Sequence, residues 1–270
     1  MLIKKIFIFF IIQLLFYNFT QSKEVIIISK VDNEIITNID IEIEKQYLLL
    51  LNNNLNELSE NEEINDFIAP YKENLDKTMD SVLAYNPKLL TKSDGDLNTA
   101  IGNFMADAVM EQVNPVFQSR TGKEIDFVLL NNGGIRAQLP SGGLTMKKIY
   151  ELMPFENEIV IVELTGKDVK DMLQYLSKAK TAHPVSGIEL RADRNYKIYK
   201  ASIDGQPIDE NKHYFVATSD YLQQGGDNMN FFANPVEVYS VDYKIRNALI
   251  DYLKKTDTLR AKIDNRYIRE

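Results

Sequence analysis

The chain has 270 residues, 44% of them hydrophobic and 26% charged, an ordinary globular composition with ample material for a core. Its formal net charge is −8 and no basic block or stripe stands out, which argues against a nucleic-acid polymer as partner. With no cysteine there is no disulfide framework, no thiolate nucleophile and no Cys-ligated zinc.

Lys4 and Lys5 precede an apolar run at residues 6–16, and a polar stretch follows at 18–22. That is the n-region, h-region and cleavage-site pattern of a secretory signal. Residues 1–22 are therefore read as a cleaved signal peptide, and the chain as periplasmic or secreted. The apolar run is too short to span a bilayer comfortably, so no stable membrane anchor is expected. Residues 23–62 read as N-terminal strands and a connector. Within them, residues 24–44 are rich in Ile and suggest one or two strands around Asp32-Asn33. Residues 48–63 are full of Asn and Glu, and are either the start of a helix or a polar connector.

The main domain is placed at residues 63–258. Ile64, Phe67, Ile68, Tyr71, Leu75, Met79 and Val82 recur at helical spacing and predict a long amphipathic helix over 63–83, with a kink or restart at Pro70. Asn86-Pro87 ends it, and residues 92–96 form a turn. A second helix covers 97–113, with Asn98 or Asp96 as its cap, Pro115 as its stop and a further helical turn over 116–120. Residues 125–130 are a buried strand running into Asn131-Asn132-Gly133-Gly134. Thr145 caps a short helix over 146–153, and Pro154 breaks it. Then come a strand at 158–164, a helix at 165–178, and strands at 186–191, 199–203 and 214–219. A second glycine-bearing loop covers 220–232, followed by a strand at 236–241 and a helix at 244–255. Residues 259–270 read as a charged tail. Strands and helices alternate irregularly, with several adjacent strands, so the expected class is mixed α/β or α+β.

Two glycine loops after strands carry the chemistry. In the first, Asn131 precedes Gly133 and Gly134, which permit positive φ, close approach and a small anion nest, and Arg136 follows with a planar fork of donors. In the second, Gly225 and Gly226 bring Tyr221 and Asp227 close to whatever binds. Phe155, fixed behind Pro154, is placed to project rather than pack. Two aromatic rings can sandwich a planar ring, and a carboxylate can accept two hydrogen bonds from a vicinal diol. The plainer alternative remains that these are ordinary turns with packing aromatics. The two histidines, His183 and His213, are far apart in sequence and read as structural or surface residues. No catalytic residue is assigned, because the sequence holds no HxxxH, DxH or GNH cluster, no GxSxG elbow and no Walker loop.

The phrases LNTAIGNFMADAV, LLNNGGIRAQLPSGGLTMKKIYELMPFENEIVIVELTG, HPVSGIEL and YFVATSDYLQQGGDNMNFF resemble, in that order, the C-terminal domain of the 5′-nucleotidase family, over residues 64–255. The resemblance implies a mixed α/β unit that binds the nucleoside part of a nucleoside or nucleoside 5′-monophosphate. Phe155 and Tyr221 stand at its base-clamp positions. Asp227 stands at the position of the carboxylate that takes the ribose hydroxyls. Asn131 and Arg136 match an amide near the base and an arginine near ribose and phosphate. Family enzymes hydrolyse the phosphomonoester at two divalent metals, of Zn or Mn type, in a metallophosphatase domain. The sequence lacks that domain's motifs, so this chain is expected to bind no metal itself and to act with a separate metallophosphatase chain. The alternatives are a stand-alone nucleoside-binding module or a degenerate structural remnant. The stretch Ser93-Asp94-Gly95-Asp96 lacks an Arg that some members carry there, and Asn98 replaces a usual acidic residue.

Overall fold

The structure is a computed structural model, which describes residues 28–31, 34–37 and 62–270. It divides into two units, residues 1–69 and 70–270. In the first, β1 (Ile28–Val31) and β2 (Glu34–Thr37) pair antiparallel, with Ile28 opposite Thr37. Two strands around Asp32-Asn33 are thus present. The signal segment and the 48–61 connector lie outside the described residues.

Helix α1 (Glu62–Met79) runs through Pro70 without a break and ends four residues before the sequence pattern does. Val82 belongs instead to β3 (Val82–Asn86), which pairs antiparallel with β5 (Gly142–Thr145). Val82 fits either a helical stripe or a β-branched strand, and the partner that decides between them lies some sixty residues downstream.

Helix α2 (Ala100–Thr121) starts at Thr99, whose Oγ1 accepts from the Gly102 N–H at 3.2 Å. Neither Asn98 nor Asp96 caps it. Asn98 instead spends its amide on Asp264 and accepts from Asn103 Nδ2 at 2.6 Å. Pro115 does not stop α2 either. It sits on the exposed face, and the turns beyond it are held by buried Phe117, whose ring lies 5.6 Å from Phe215 and 5.3 Å from Tyr239. Burying such a ring contributes about 1.5–3 kcal/mol, comparable to the cost of an interior proline. The helix ends at Gly122, at φ 73°.

The organising element is a five-stranded mixed sheet in the order β12–β6–β11–β4–β7, made of β4 (Phe127–Leu129), β6 (Glu158–Thr165), β7 (Val185–Ser186), β11 (His213–Ser219) and β12 (Glu237–Lys244). Both faces are buried. Ile159 and Ile161 of β6 pack into one apolar cluster, and Val160, Val162 and Leu164 into another, as the two-residue period of a strand requires. The first face is covered by α2, α3 (Met146–Leu152) and α6 (Ile245–Lys254), through residues such as Met105, Ile149 and Leu249. The second is covered by α4 (Gly166–Ser177), through Val169, Met172, Leu173 and Leu176. Thr145 Oγ1 caps α3 by accepting from the Lys148 N–H, and Thr165 and Asp168 close a reciprocal capping box on α4.

A four-stranded sheet, β10 (Gln206–Pro207), β9 (Ile198–Ile203), β8 (Ile188–Ala192) and β13 (Tyr267–Arg269), packs Ile188, Leu190 and Ile203 into the second cluster. Its β13 lies within the stretch read as a charged tail. That stretch is integral to the domain. Tyr267 is only 2% exposed and β13 pairs parallel with β8. The charges are used internally: Arg266 forks onto Asp107 at 2.7 and 2.9 Å, reaches Asp264 at 2.7 Å, and donates to the Val185 carbonyl at 2.7 Å. A charge count cannot distinguish a solvated run from such a fork.

Arg266→Ala would leave Asp107, Asp264 and the Val185 carbonyl without this donor. With the side chain only 17% exposed, the expected loss is about 2–3 kcal/mol, somewhat below that of a fully buried pair. Urea unfolding monitored by circular dichroism measures it, and an unchanged midpoint refutes the assignment. Burial alone would raise the Asp264 carboxyl, but hydrogen bonds from Arg266 and Asn98 outweigh it and hold it at about 2. A depressed carboxyl stabilises the fold above its unfolded value, about 3.9, and that contribution is lost as the pH falls through about 2. The stability gap between wild type and Asp264→Asn is therefore constant above about pH 5 and narrows toward pH 2. A gap independent of pH over that range contradicts the pairing.

Candidate functional site

Four segments meet at one end of the five-stranded sheet. Strands β4 and β11 are parallel neighbours, with Phe127 opposite Val216, so the loops after them emerge side by side. Strand β6 runs antiparallel to β11, with Ile159 opposite Ser219, which brings the loop before β6 to the same end. Strand β7 runs antiparallel to β4, with Leu129 opposite Val185, which does the same for His183 and Pro184. The parallel strand ends are tied by Thr218 Oγ1, which donates to the Leu129 carbonyl at 2.9 Å.

The loop after β4 turns through a 3₁₀ segment, Asn132–Gly134. Neither Gly133 nor Gly134 takes the positive φ that a glycine pair permits. The glycines serve close approach instead. A Cβ on Gly133 would lie 3.0 Å from Asn131 Nδ2 and 3.6 Å from Asp227 Oδ2, and one on Gly134 would lie 3.2 Å from Asn131 Oδ1.

The loop after β11 begins with α5 (Asp220–Gln223), capped by Ser219 Oγ. Gly225 then takes φ 90°. Asp227 follows at φ 53° and Asn228 at φ 59°. A Cβ on Gly226 would lie 2.5 Å from Tyr221 Cε1 and 2.6 Å from its Cζ, so only glycine lets the ring lie there. Asn131 Nδ2 donates to Asp227 Oδ2 at 2.7 Å, and the Tyr221 hydroxyl donates to Asp227 Oδ1 at 2.9 Å. The structure therefore joins Asn131, Gly133, Gly134, Tyr221, Gly225, Gly226 and Asp227 in one constellation. Tyr221 remains 46% exposed, and its phenol is pushed up chiefly by the bond to Asp227.

Arg136 and Phe155 form the neighbouring pair. The guanidinium lies 5.8 Å from the Phe155 ring centre, and the Arg136 N–H donates to the Leu152 carbonyl at 2.8 Å. Phe155 is 41% exposed, so it projects as its position behind Pro154 suggested. No ring contact joins it to Tyr221 among the described residues. The exposed faces of the two aromatics, the Asp227 carboxylate and the Arg136 guanidinium make a polar, aromatic-flanked surface suited to a planar ring that carries hydroxyls and an anion.

Two further contributors, Tyr175 and Arg246, were not singled out in the sequence, and His183 was read there only as structural or surface. Tyr175 of α4 donates its hydroxyl to the Asp227 main-chain carbonyl at 3.0 Å. It follows the inward position Met172 by three residues, about one helical turn, so its direction was readable but its partner was not. His183 is buried, and its Nδ1 accepts from the Asn132 N–H at 3.4 Å while its ring lies 5.7 Å from that of Tyr175. Burial lowers its pKa, with the charge of Asp227 pulling the other way. The expected structural role of His183 is thus given a definite place, under the first loop. His213, by contrast, pairs with Glu163 at 2.7 Å on the opposite end of β11. Arg246 of α6 is buried against the Tyr150 ring at 4.1 Å. It donates to the carbonyls of Met153 at 3.4 Å and Phe155 at 3.2 Å and pairs with Glu156, so it anchors the loop that carries Phe155.

A separate open cleft of about 450 Å³ lies beside the four-stranded sheet, lined by residues that include Glu189, Ser202, Asp204 and Arg266, and holds none of the residues above.

Comparison with known proteins identifies the family and the fold. The profile of the family described as 5′-nucleotidase, C-terminal domain, matches residues 83–234, more than half of the chain. Cell wall protein Lmo0130 of Listeria monocytogenes is 29% identical over 178 residues, which are 60% of this chain and 22% of that protein. Protein UshA of Escherichia coli is 26% identical over 210 residues, covering 75% of this chain and 36% of the relative. The crystal structure of a 5′-nucleotidase precursor from Thermus thermophilus has the same fold, at a TM-score of 0.64 and 19% identity, over 90% of this chain and 48% of that one. The chain thus spans between about a fifth and a half of the length of these relatives. With its motifs in order and its profile match covering most of the α/β unit, the chain belongs to the family of 5′-nucleotidase C-terminal domains.

Proposed function

We propose that this chain is the nucleoside-recognition part of a 5′-nucleotidase-type hydrolase working in nucleotide breakdown. The observation that carries the proposal is the Asp227 carboxylate, presented on a glycine loop with both oxygens aligned by Asn131 and Tyr221, beside the exposed Phe155–Arg136 pair. In this reading Phe155 and Tyr221 flank the base. Asp227 accepts from the ribose hydroxyls, Asn131 lies near the base, and Arg136 faces the ribose and 5′-phosphate. Membership of the 5′-nucleotidase family supports the substrate class, and the similarity to a cell wall protein supports an exported location.

The residues of this site do not suit a two-metal centre. Asp227 is its single carboxylate, both oxygens already accept hydrogen bonds, and a guanidinium stands nearby. No hydrolytic step is therefore routed through this constellation. The two divalent metals and the attacking water are assigned to a metallophosphatase acting as partner, and this chain binds and orients the ester.

Two stacks at about 1–2 kcal/mol each and one or two charge-assisted hydrogen bonds at about 1.5–3 each sum to between about 4 and 10 kcal/mol, and ordering losses bring the upper end to about 8. That corresponds to dissociation constants between about millimolar and micromolar. Calorimetric titration with adenosine and AMP tests the reading. Phe155→Ala and Asp227→Ala are each expected to weaken both ligands about tenfold or more, and unchanged affinities refute the site. Arg136→Ala is expected to weaken AMP by a further factor of about three to ten relative to adenosine, because only AMP carries the anion. Equal losses for the two ligands would remove Arg136 from the phosphate side.

A further inference from the structure

Asp227 and Asn228 are consecutive non-glycine residues in the left-handed region, at φ 53° and 59°. Asp and Asn visit that region singly, but two in succession are uncommon, and surrounding contacts hold them there. Three side chains from three different elements meet on Asp227. Asn131 holds one carboxylate oxygen at 2.7 Å and the Tyr221 hydroxyl holds the other at 2.9 Å. Tyr175 reaches the main-chain carbonyl of the same residue at 3.0 Å from α4, on the buried side. Tyr175 is itself wedged between His183 and Phe231, with ring centres 5.7 and 5.6 Å away. Its hydroxyl contributes nothing to a two-ring clamp, and stacking by Tyr221 would need only a ring.

We propose that Tyr175 and the hydroxyl of Tyr221 are positioning residues for sugar recognition. Together with Asn131 they hold the Asp227 carboxylate in one orientation for a vicinal diol. The inference rests on the nucleoside reading above and deepens it. A carboxylate offers about four acceptor sites. Asn131 and Tyr221 take one on each oxygen, which leaves one on each, matching two adjacent hydroxyls. An aspartate free to rotate would have to be ordered on binding, whereas this one is ordered in advance by groups that need not touch the ligand. Sugars that lack the diol gain nothing from that order.

The test uses Tyr175→Phe and Tyr221→Phe in the full chain, each of which keeps the ring and removes one hydroxyl. Calorimetry is run with adenosine and with 2′,3′-dideoxyadenosine. Each variant is expected to weaken adenosine about 3–10-fold and to leave the dideoxynucleoside within about twofold, so that ribose selectivity falls. Parallel losses for both ligands, or no loss, overturn the proposal. A gain for adenosine in Tyr221→Phe overturns it too, because the hydroxyl would then compete with the diol. A second readout needs no ligand. The Gly225 and Met229 amides, bonded to the Leu222 and Gly226 carbonyls, should exchange faster in Tyr175→Phe. Unchanged exchange refutes the brace. A wild-type chain that binds neither nucleoside refutes the nucleoside reading, and the exchange rates keep that failure distinct from failure of the brace.

Discussion

The pairing of β4 with β11 is the constraint on which the rest depends. They are parallel neighbours in a sheet buried on both faces, so neither can slip without moving an entire set of apolar side chains to the wrong side. That fixes where the chain emerges after Leu129 and after Ser219. Both glycine loops then start within reach of one another, as ligand loops do at the carboxyl ends of parallel strands. The antiparallel partners β6 and β7 enter the sheet from the same end and bring Phe155 and His183 with them. Residues spread over about a hundred positions are thus assembled by strand order alone.

Within that frame the site is built by two kinds of support. Glycines remove Cβ atoms where groups must touch. Gly226 admits the Tyr221 ring, and Gly133 admits Asn131 beside Asp227. Buried polar side chains then fix what the glycines leave free. Arg246 ties down the loop of Phe155 from α6, and Tyr175 ties down Asp227 from α4. The two helices lie on opposite faces of the sheet, so each face braces one of the two loops. Packing and recognition are not separable here, because the helices that complete the core also orient the ligand groups.

Much of this was legible in the sequence because it is local. Short β-branched apolar runs marked β6 and β11, and the helices over 146–153 and 165–178 were read at Thr145 and Thr165. The glycine pairs marked both loops, and the motif order gave the family. What escaped was set by distant partners. Val82–Asn86 becomes a strand only because residues 142–145 pair with it. Pro115 is tolerated because Phe117 finds Phe215 and Tyr239. Asn98 gives up the cap because Asp264 and Asn103 claim it. The charged C-terminal stretch reads as solvated until Arg266 is seen against Asp107. In the site, the candidate residues came from loop composition, which left open positive φ and close approach for Gly133 and Gly134, and the structure uses the approach. Tyr175 and Arg246 were passed over because a tyrosine in a helix and an arginine in a last helix carry no local mark of their partners, and His183 was read as structural or surface without its place under the first loop.

The central claim is that recognition sits at the end of β4 and β11 and not in the cleft beside the four-stranded sheet. Titrating adenosine into the isotopically labelled full chain, while following backbone amide resonances, tests it most directly. The account predicts shifts concentrated in residues 131–136, 153–157 and 220–228. Shifts centred on residues 186–189 and 202–205, where the cleft lies, would contradict it, as would a spectrum unmoved at millimolar ligand.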